Sequence, residues 1–142
     1  MNNRKTRLVS LVLLLILAFS CPVFAESGAD LRASEQLRSY SMYATAVGNG
    51  RIAITFSVDG NRKMTQIGAE RIVIYYRVGG SWVVADSLDK DDTGMSTGNA
   101  YYYGNTIYYN GVSGTDYQIE ITIFAEDSSG YDSRTKICDV TA

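Results

Sequence analysis

From Ser39 onward the chain alternates apolar and polar residues with a period of two, and no stretch sustains a helical period. Successive side chains of an extended strand point to opposite faces, so such alternation marks a ribbon with one buried and one wet face. Ile52, Ile54, Phe56 and Val58 alternate with Arg51, Ala53, Thr55 and Ser57. Ile72, Ile74, Tyr76 and Val78 make a second inward row, and Tyr117, Ile119, Ile121, Ile123 and Ala125 make the longest. Tyr40, Met42, Ala44 and Ala46 suggest a first strand ahead of these.

Turn residues divide the rows. Gly48-Asn49-Gly50 and Gly79-Gly80 read as hairpin turns, because both central positions tolerate positive φ. Ser128-Ser129-Gly130 turns the longest row back into a closing strand over residues 133–140. Asp59-Gly60-Asn61 reads as a break that opens a connection to Gly68, passing between two sheets. Residues 86–99 read as a long polar loop, followed by an aromatic strand, residues 101–109, interrupted at Gly104-Asn105. About seven short strands with turns roughly every 8 to 12 residues predict an all-β Greek-key β-sandwich. An up-and-down barrel is the alternative, and the two long connections favour the sandwich.

Val112-Ser113-Gly114-Thr115-Asp116-Tyr117, followed by residues 118–125, resembles the turn and penultimate strand of fibronectin type III modules. In that family a Tyr hydroxyl pins the corner before the strand. Ser129-Gly130 and the strand after it look like the family's final hairpin. The resemblance implies a fibronectin type III or immunoglobulin-like fold. Taken whole, the chain is similar to small exported bacterial proteins of a single sandwich domain. That likeness carries no site residues, and the family's Arg-Gly-Asp is replaced by Gly130-Tyr131-Asp132.

The chain opens with Arg4, Lys5 and Arg7, an apolar run from Leu8 to Phe19, and Val23-Phe24-Ala25 before Glu26. That pattern predicts a signal peptide over residues 1–25, since the apolar run is shorter than the roughly 20 residues of a permanent span. Residues 26–38 read as a flexible lead-in and residues 39–142 as the domain. The expected location is secreted or at the extracellular surface, with no transmembrane span in the mature chain. Bulky Phe19 fits a lipoprotein motif poorly, so Cys21 reads as discarded with the signal. Its acylation, the alternative, would tether the domain.

Removing residues 1–25 leaves ten basic residues against fifteen acidic ones, a net charge of −5. The basic residues are scattered singly, which argues against nucleic acid as a partner. Only Cys138 remains, so no internal disulfide is available. It reads as a small half-buried side chain rather than a reactive thiol.

The chain has no histidine, which removes His-based acid–base chemistry, the Ser-His-Asp and Cys-His arrangements and ordinary zinc sites. No nucleophile elbow or phosphate-cradling loop is present. A carboxylate pair of the glycosidase kind is the one catalytic arrangement the composition permits. The expectation is therefore no enzyme and no cofactor. Within residues 86–94, Asp89, Asp91 and Thr93 followed by Gly94 match the first half of a calcium loop. The match fails later, where Ala100 stands at the position of the bidentate Glu. A solvated acidic loop is the plainer reading.

The chain holds eleven tyrosines, with Tyr101-Tyr102-Tyr103 and Tyr108-Tyr109 grouped. Adjacent strand residues point to opposite faces, so part of each group faces outward. An outward aromatic strip offers flat apolar rings and hydroxyls to a sugar or a protein. Tyr101, Tyr103, Tyr108 and Trp82 are the expected ligand-binding residues. The functional expectation is an exported, non-catalytic module binding a protein or carbohydrate partner. A structural component of the envelope or matrix is the alternative, followed by a carboxylate-based hydrolase.

Overall fold

The computed structural model describes residues 34–142. The expected signal peptide, Cys21 and residues 26–33 lie outside them. Six strands run in chain order: β1 (Leu37–Gly48), β2 (Arg51–Val78), β3 (Ser81–Asp89), β4 (Ser96–Asn110), β5 (Asp116–Asp127) and β6 (Gly130–Thr141). Every pairing is antiparallel, and all six strands belong to one sheet. The protein is all-β. Among the described residues, no helix is long and apolar enough to cross a membrane.

The sheet is organised by β2, whose 28 residues serve two neighbourhoods. Its first half pairs with β1 on one side and β4 on the other, so that Ile54 faces both Ala44 and Ile107. Its second half lies between β3 and β5, where Ile72 faces both Leu88 and Ile121. β6 flanks β5. These neighbourhoods form two arms that share one strand.

Both arms bury the same kind of row. Ile52, Ile54, Phe56 and Val58 from the first arm, and Ile72, Ile74, Ile119, Ile121 and Ile123 from the second, are at most 1% exposed. They belong to a single cluster, so the sheet is curled around one core. Each such Ile or Phe contributes about 1.5–3 kcal/mol by leaving water. The outward faces of the two arms therefore look away from each other.

Two expected connections are strand instead. β2 continues through residues 59–68, and Met64 and Ile67 within that stretch are fully buried. The chain bends here without leaving the sheet, because the register against β4 slips between Asp59 and Met64. Gly68 completes the bend at φ 151°. A Cβ on Gly68 would strike the Met95 carbonyl oxygen and lie 2.6 Å from Ser96 Cα. Only glycine lets β4 start so close, where the Ala69 N–H donates to the Met95 carbonyl at 2.7 Å. The expected loop over residues 86–99 shrinks to residues 90–95, with Met95 fully buried. Polar composition concealed a short turn with an apolar anchor.

The domain also starts earlier than the alternation suggested. Residues 34–38 are not free: β1 begins at Leu37, and the polar Gln36 is buried. Asp132 fastens this segment, accepting from the Ser34 hydroxyl at 2.5 Å and the Gln36 N–H at 2.9 Å. Those two donors, the hydroxyl foremost, hold the Asp132 carboxyl below its ordinary pKa. At the other end, the Tyr117 hydroxyl accepts from the Val112 N–H at 2.8 Å. Cys138 is half-buried against the core, opposite Ile119.

Candidate functional site

The outward face of the first arm follows from register. Thr45, Tyr43, Ser41 and Ser39 of β1 stand opposite Ala53, Thr55, Ser57 and Asp59 of β2. Those β2 residues stand in turn opposite Tyr108, Thr106, Gly104 and Tyr102 of β4. The inward rows on the same strands are apolar except for Asn105, whose amide donates to the Gly94 carbonyl at 2.9 Å, so the period of two sends hydroxyls and aromatic rings to solvent. Three tyrosines stand up from this face: Tyr43, Tyr102 and Tyr108 are 48%, 55% and 52% exposed. Neighbouring strands lie about 4.8 Å apart and each residue rises about 3.4 Å. Tyr102 and Tyr108, six residues apart, therefore mark a length of about 20 Å, with Tyr43 two strands away.

The ground between the rings is a ladder of paired hydroxyls. Ser41 and Ser57 meet at 2.7 Å, Thr55 and Thr106 at 2.9 Å, and the Ser39 hydroxyl donates to Asp59 Oδ2 at 2.9 Å. Each oxygen keeps further hydrogen-bonding capacity toward solvent. Gly104 gives Tyr102 its position. A Cβ at residue 104 would overlap the Tyr102 hydroxyl and lie 3.1 Å from its ring carbon Cζ. Bare backbone thus allows the Tyr102 ring to lean along the strand. At the opposite end the Arg51 guanidinium lies 3.9 Å from the centre of the Tyr108 ring, a cation–π contact that steadies both. Arg51 and Asp59, at the two ends, are the charges of this face.

The structure separates the residues expected to act together. Tyr108 is on the face. Tyr101 is 63% exposed but sits at the β4 register slip, between the residues paired to Asp59 and Met64. Tyr103 points inward, its ring 6.1 Å from that of Phe56. Tyr109 also turns inward, edge-on to Tyr117 at 5.6 Å, and burial, then the Tyr117 hydroxyl, raises its pKa. Trp82 stands on the outward face of the second arm, opposite Arg77. The overlooked members are Tyr43, Tyr102 and Arg51. Parity could have found two of them: Tyr43 alternates with buried Met42 and half-buried Ala44, although Tyr40, expected inward, is itself 48% exposed, and Tyr102 shares its parity with Tyr108.

The acidic loop does not converge on a point. Asp89 faces Arg71 at 3.8 Å, and Asp92 Oδ2 accepts the Asp89 N–H at 2.8 Å as a turn brace. Among the described residues, no three His, Cys, Asp or Glu side chains are placed to share a metal ion. Asp91 and Thr93 line a shallow depression with Gln66, Lys90 and Glu126.

No family model matches the chain, and no curated protein matches it. Among solved structures, the chain is similar to Spo0M, a sporulation control protein from Bacillus subtilis, at 8% identity and a TM-score of 0.43. That likeness covers 73% of this chain and 49% of Spo0M, so the chain spans about half the length of that protein. It is also similar to a family 76 glycoside hydrolase from a bovine Bacteroides thetaiotaomicron strain, at 16% identity and a TM-score of 0.33. There it covers 75% of this chain and 20% of the hydrolase.

Proposed function

We propose that the protein is an exported, non-catalytic module that binds a carbohydrate chain on the outward face of its first arm. The observation that carries this reading is the set of half-exposed rings of Tyr43, Tyr102 and Tyr108 on nearly uncharged, hydroxyl-rich ground. A sugar presents apolar C–H faces and a rim of hydroxyls, and such ground supplies a match for each at small desolvation cost. Retardation of the purified protein in gels containing soluble polysaccharides tests it. Substituting Tyr102 and Tyr108 together by Ala is expected to abolish retardation while the fold survives. Undiminished retardation of that variant would overturn the reading.

The finer fold reading, a Greek-key sandwich of fibronectin type III or immunoglobulin-like kind, belongs to the same proposal. Dividing β2 at its bend gives a three-stranded and a four-stranded group, the division of a constant-type immunoglobulin domain. The Tyr117 hydroxyl on the Val112 N–H adds support as a corner of the type that family uses. Export is proposed from the N-terminal sequence. N-terminal sequencing of protein recovered outside the cell should begin at Glu26, and an intact Met1 would refute it.

One observation favours a structural role in the envelope or matrix. β3 is an edge strand exposed along almost its whole length, with Trp82, Val83 and Val84 all open to solvent and no Lys or Pro to guard it. Such an edge recruits further strands. Sedimentation of the protein across a concentration series decides this: a single monomer boundary throughout rejects it.

A further inference from the structure

The second arm holds a cleft that the tyrosine face does not share. It opens where two strand pairs diverge. The pairing of β2 with β5 ends at Tyr76 and Tyr117, while β2 and β3 run on to Val78 and Ser81. β5 and β6 likewise run on, to Asp116 and Thr141. Between the diverging pairs lies an open cleft of about 490 Å³, lined by Arg77, Trp82, Asp116, Gln118, Asp139 and Thr141. That volume falls within the roughly 300–1,000 Å³ of small-molecule sites.

The lining is ordered by its own hydrogen bonds. The Thr141 hydroxyl donates to Asp116 Oδ1 at 2.8 Å, and the Gln118 amide donates to Asp139 Oδ1 at 3.1 Å. Each carboxylate is thus held by one oxygen, and the other oxygen is an acceptor for a ligand. The Arg77 guanidinium sits 5.7 Å from the centre of the Trp82 ring. It supplies donors and already takes the position a foreign cation would seek over the indole. An anion entering the cleft would meet two carboxylates. The ligand that answers all these groups is uncharged, with an apolar face for the indole and hydroxyls that both donate and accept.

We propose that this cleft binds a single neutral sugar ring, with its C–H face on Trp82 and its hydroxyls between Asp139 and Arg77. The site shares the carbohydrate class argued above but none of its residues, so the two stand or fall separately. Trp82 is the only tryptophan of the chain, which makes its emission a private reporter of the cleft.

The test is a fluorescence titration of the full chain with glucose, galactose, mannose and N-acetylglucosamine, with N-acetylargininamide as the cationic control. At least one sugar should change Trp82 emission saturably, in the millimolar range expected of one small ring. Asp139→Ala should weaken that response about tenfold, the cost of one lost bond from a charged acceptor. The Tyr102, Tyr108 double Ala variant should leave it unchanged. Should Asp139→Ala fail to fold, Gln118→Ala removes the brace on Asp139 and serves in its place. Emission that stays flat with all four sugars overturns the proposal. So does saturation by N-acetylargininamide alone, which would mark a cation site. Flat emission alongside polysaccharide retention that still depends on Tyr102 and Tyr108 overturns the cleft and leaves the tyrosine face standing.

Discussion

The two arms bury matching rows of Ile yet present unlike faces to water. The first arm shows hydroxyl pairs and standing tyrosines, with charge confined to Arg51 and Asp59 at its ends. The second shows Arg71, Arg77, Asp116, Glu120 and Asp139 across its width, with Trp82 at one corner. Dehydrating a charged face costs far more than dehydrating hydroxyls and rings. A long ligand lying flat is therefore cheaper to accommodate on the first arm. On the second, the proposed site lies in a hollow that diverging strands make.

The largest expected effects test what the arms have in common. Phe56→Ala in the first arm and Ile121→Ala in the second each remove a fully buried side chain from the shared cluster. Each should cost about 3–5 kcal/mol, or about 2–5 for the isoleucine, in denaturant unfolding. Ser57→Ala, on the outward face beside Phe56, should stay within about 0.5 kcal/mol. If one core variant proved silent while the other unfolded the chain, the arms would not share a core.

Next comes the bend that sends β2 from one arm to the other. Gly68→Ala forces a Cβ toward the Met95 carbonyl at a backbone angle glycine favours. A loss of about 1–3 kcal/mol is expected. Gly98→Ala, where a Cβ meets the Thr65 carbonyl oxygen at 3.3 Å, should cost less. Equal losses would mean that the close approach of β4 at Gly68 is not what fixes the bend.

A smaller effect separates site from scaffold. Gly104→Ala should displace the Tyr102 ring, and it also brings a Cβ to 3.2 Å from the Phe56 carbonyl oxygen. Polysaccharide retention should fall about as far as in Tyr102→Ala, with stability lowered by about 1 kcal/mol or less. Retention unchanged in Gly104→Ala would show that Tyr102 does not act from the position Gly104 gives it.

These effects track what the residues disclosed beforehand. The inward rows were legible because Ile alternates without interruption, and every residue of the row from Tyr117 to Ala125 is buried. Their extent along the chain was less so. Met64, Ile67 and Met95 lie among Gly, Asn, Thr and Asp, and their burial depends on a bend that no local pattern encodes. The candidate face was half legible for a related reason. Parity places Tyr102 with Tyr108, but the register slip at Tyr101 breaks the count, so Tyr101 and Tyr103 do not behave as one strip. Trp82 was grouped with the tyrosines of β4 because nothing in the sequence says which half of β2 the aromatic strand pairs with.

The smallest effect concerns acid. Hydrogen bonds lower the pKa of two carboxyls in the second arm's final hairpin: the Ser129 hydroxyl and N–H act on Asp127, and the Ser34 hydroxyl and Gln36 N–H act on Asp132. A carboxyl with a depressed folded pKa adds stability that is complete above its unfolded value, about 3.9, and is lost as pH falls through the folded value. Unfolding midpoints should therefore hold steady from neutrality to about pH 5 and decline below about pH 4. Asp132→Asn should flatten part of that decline and cost about 1 kcal/mol at pH 7, the worth of a hydrogen bond to a charged group less what the amide recovers. An acid limb left unchanged by Asp132→Asn would show that this fastening is not what acid releases.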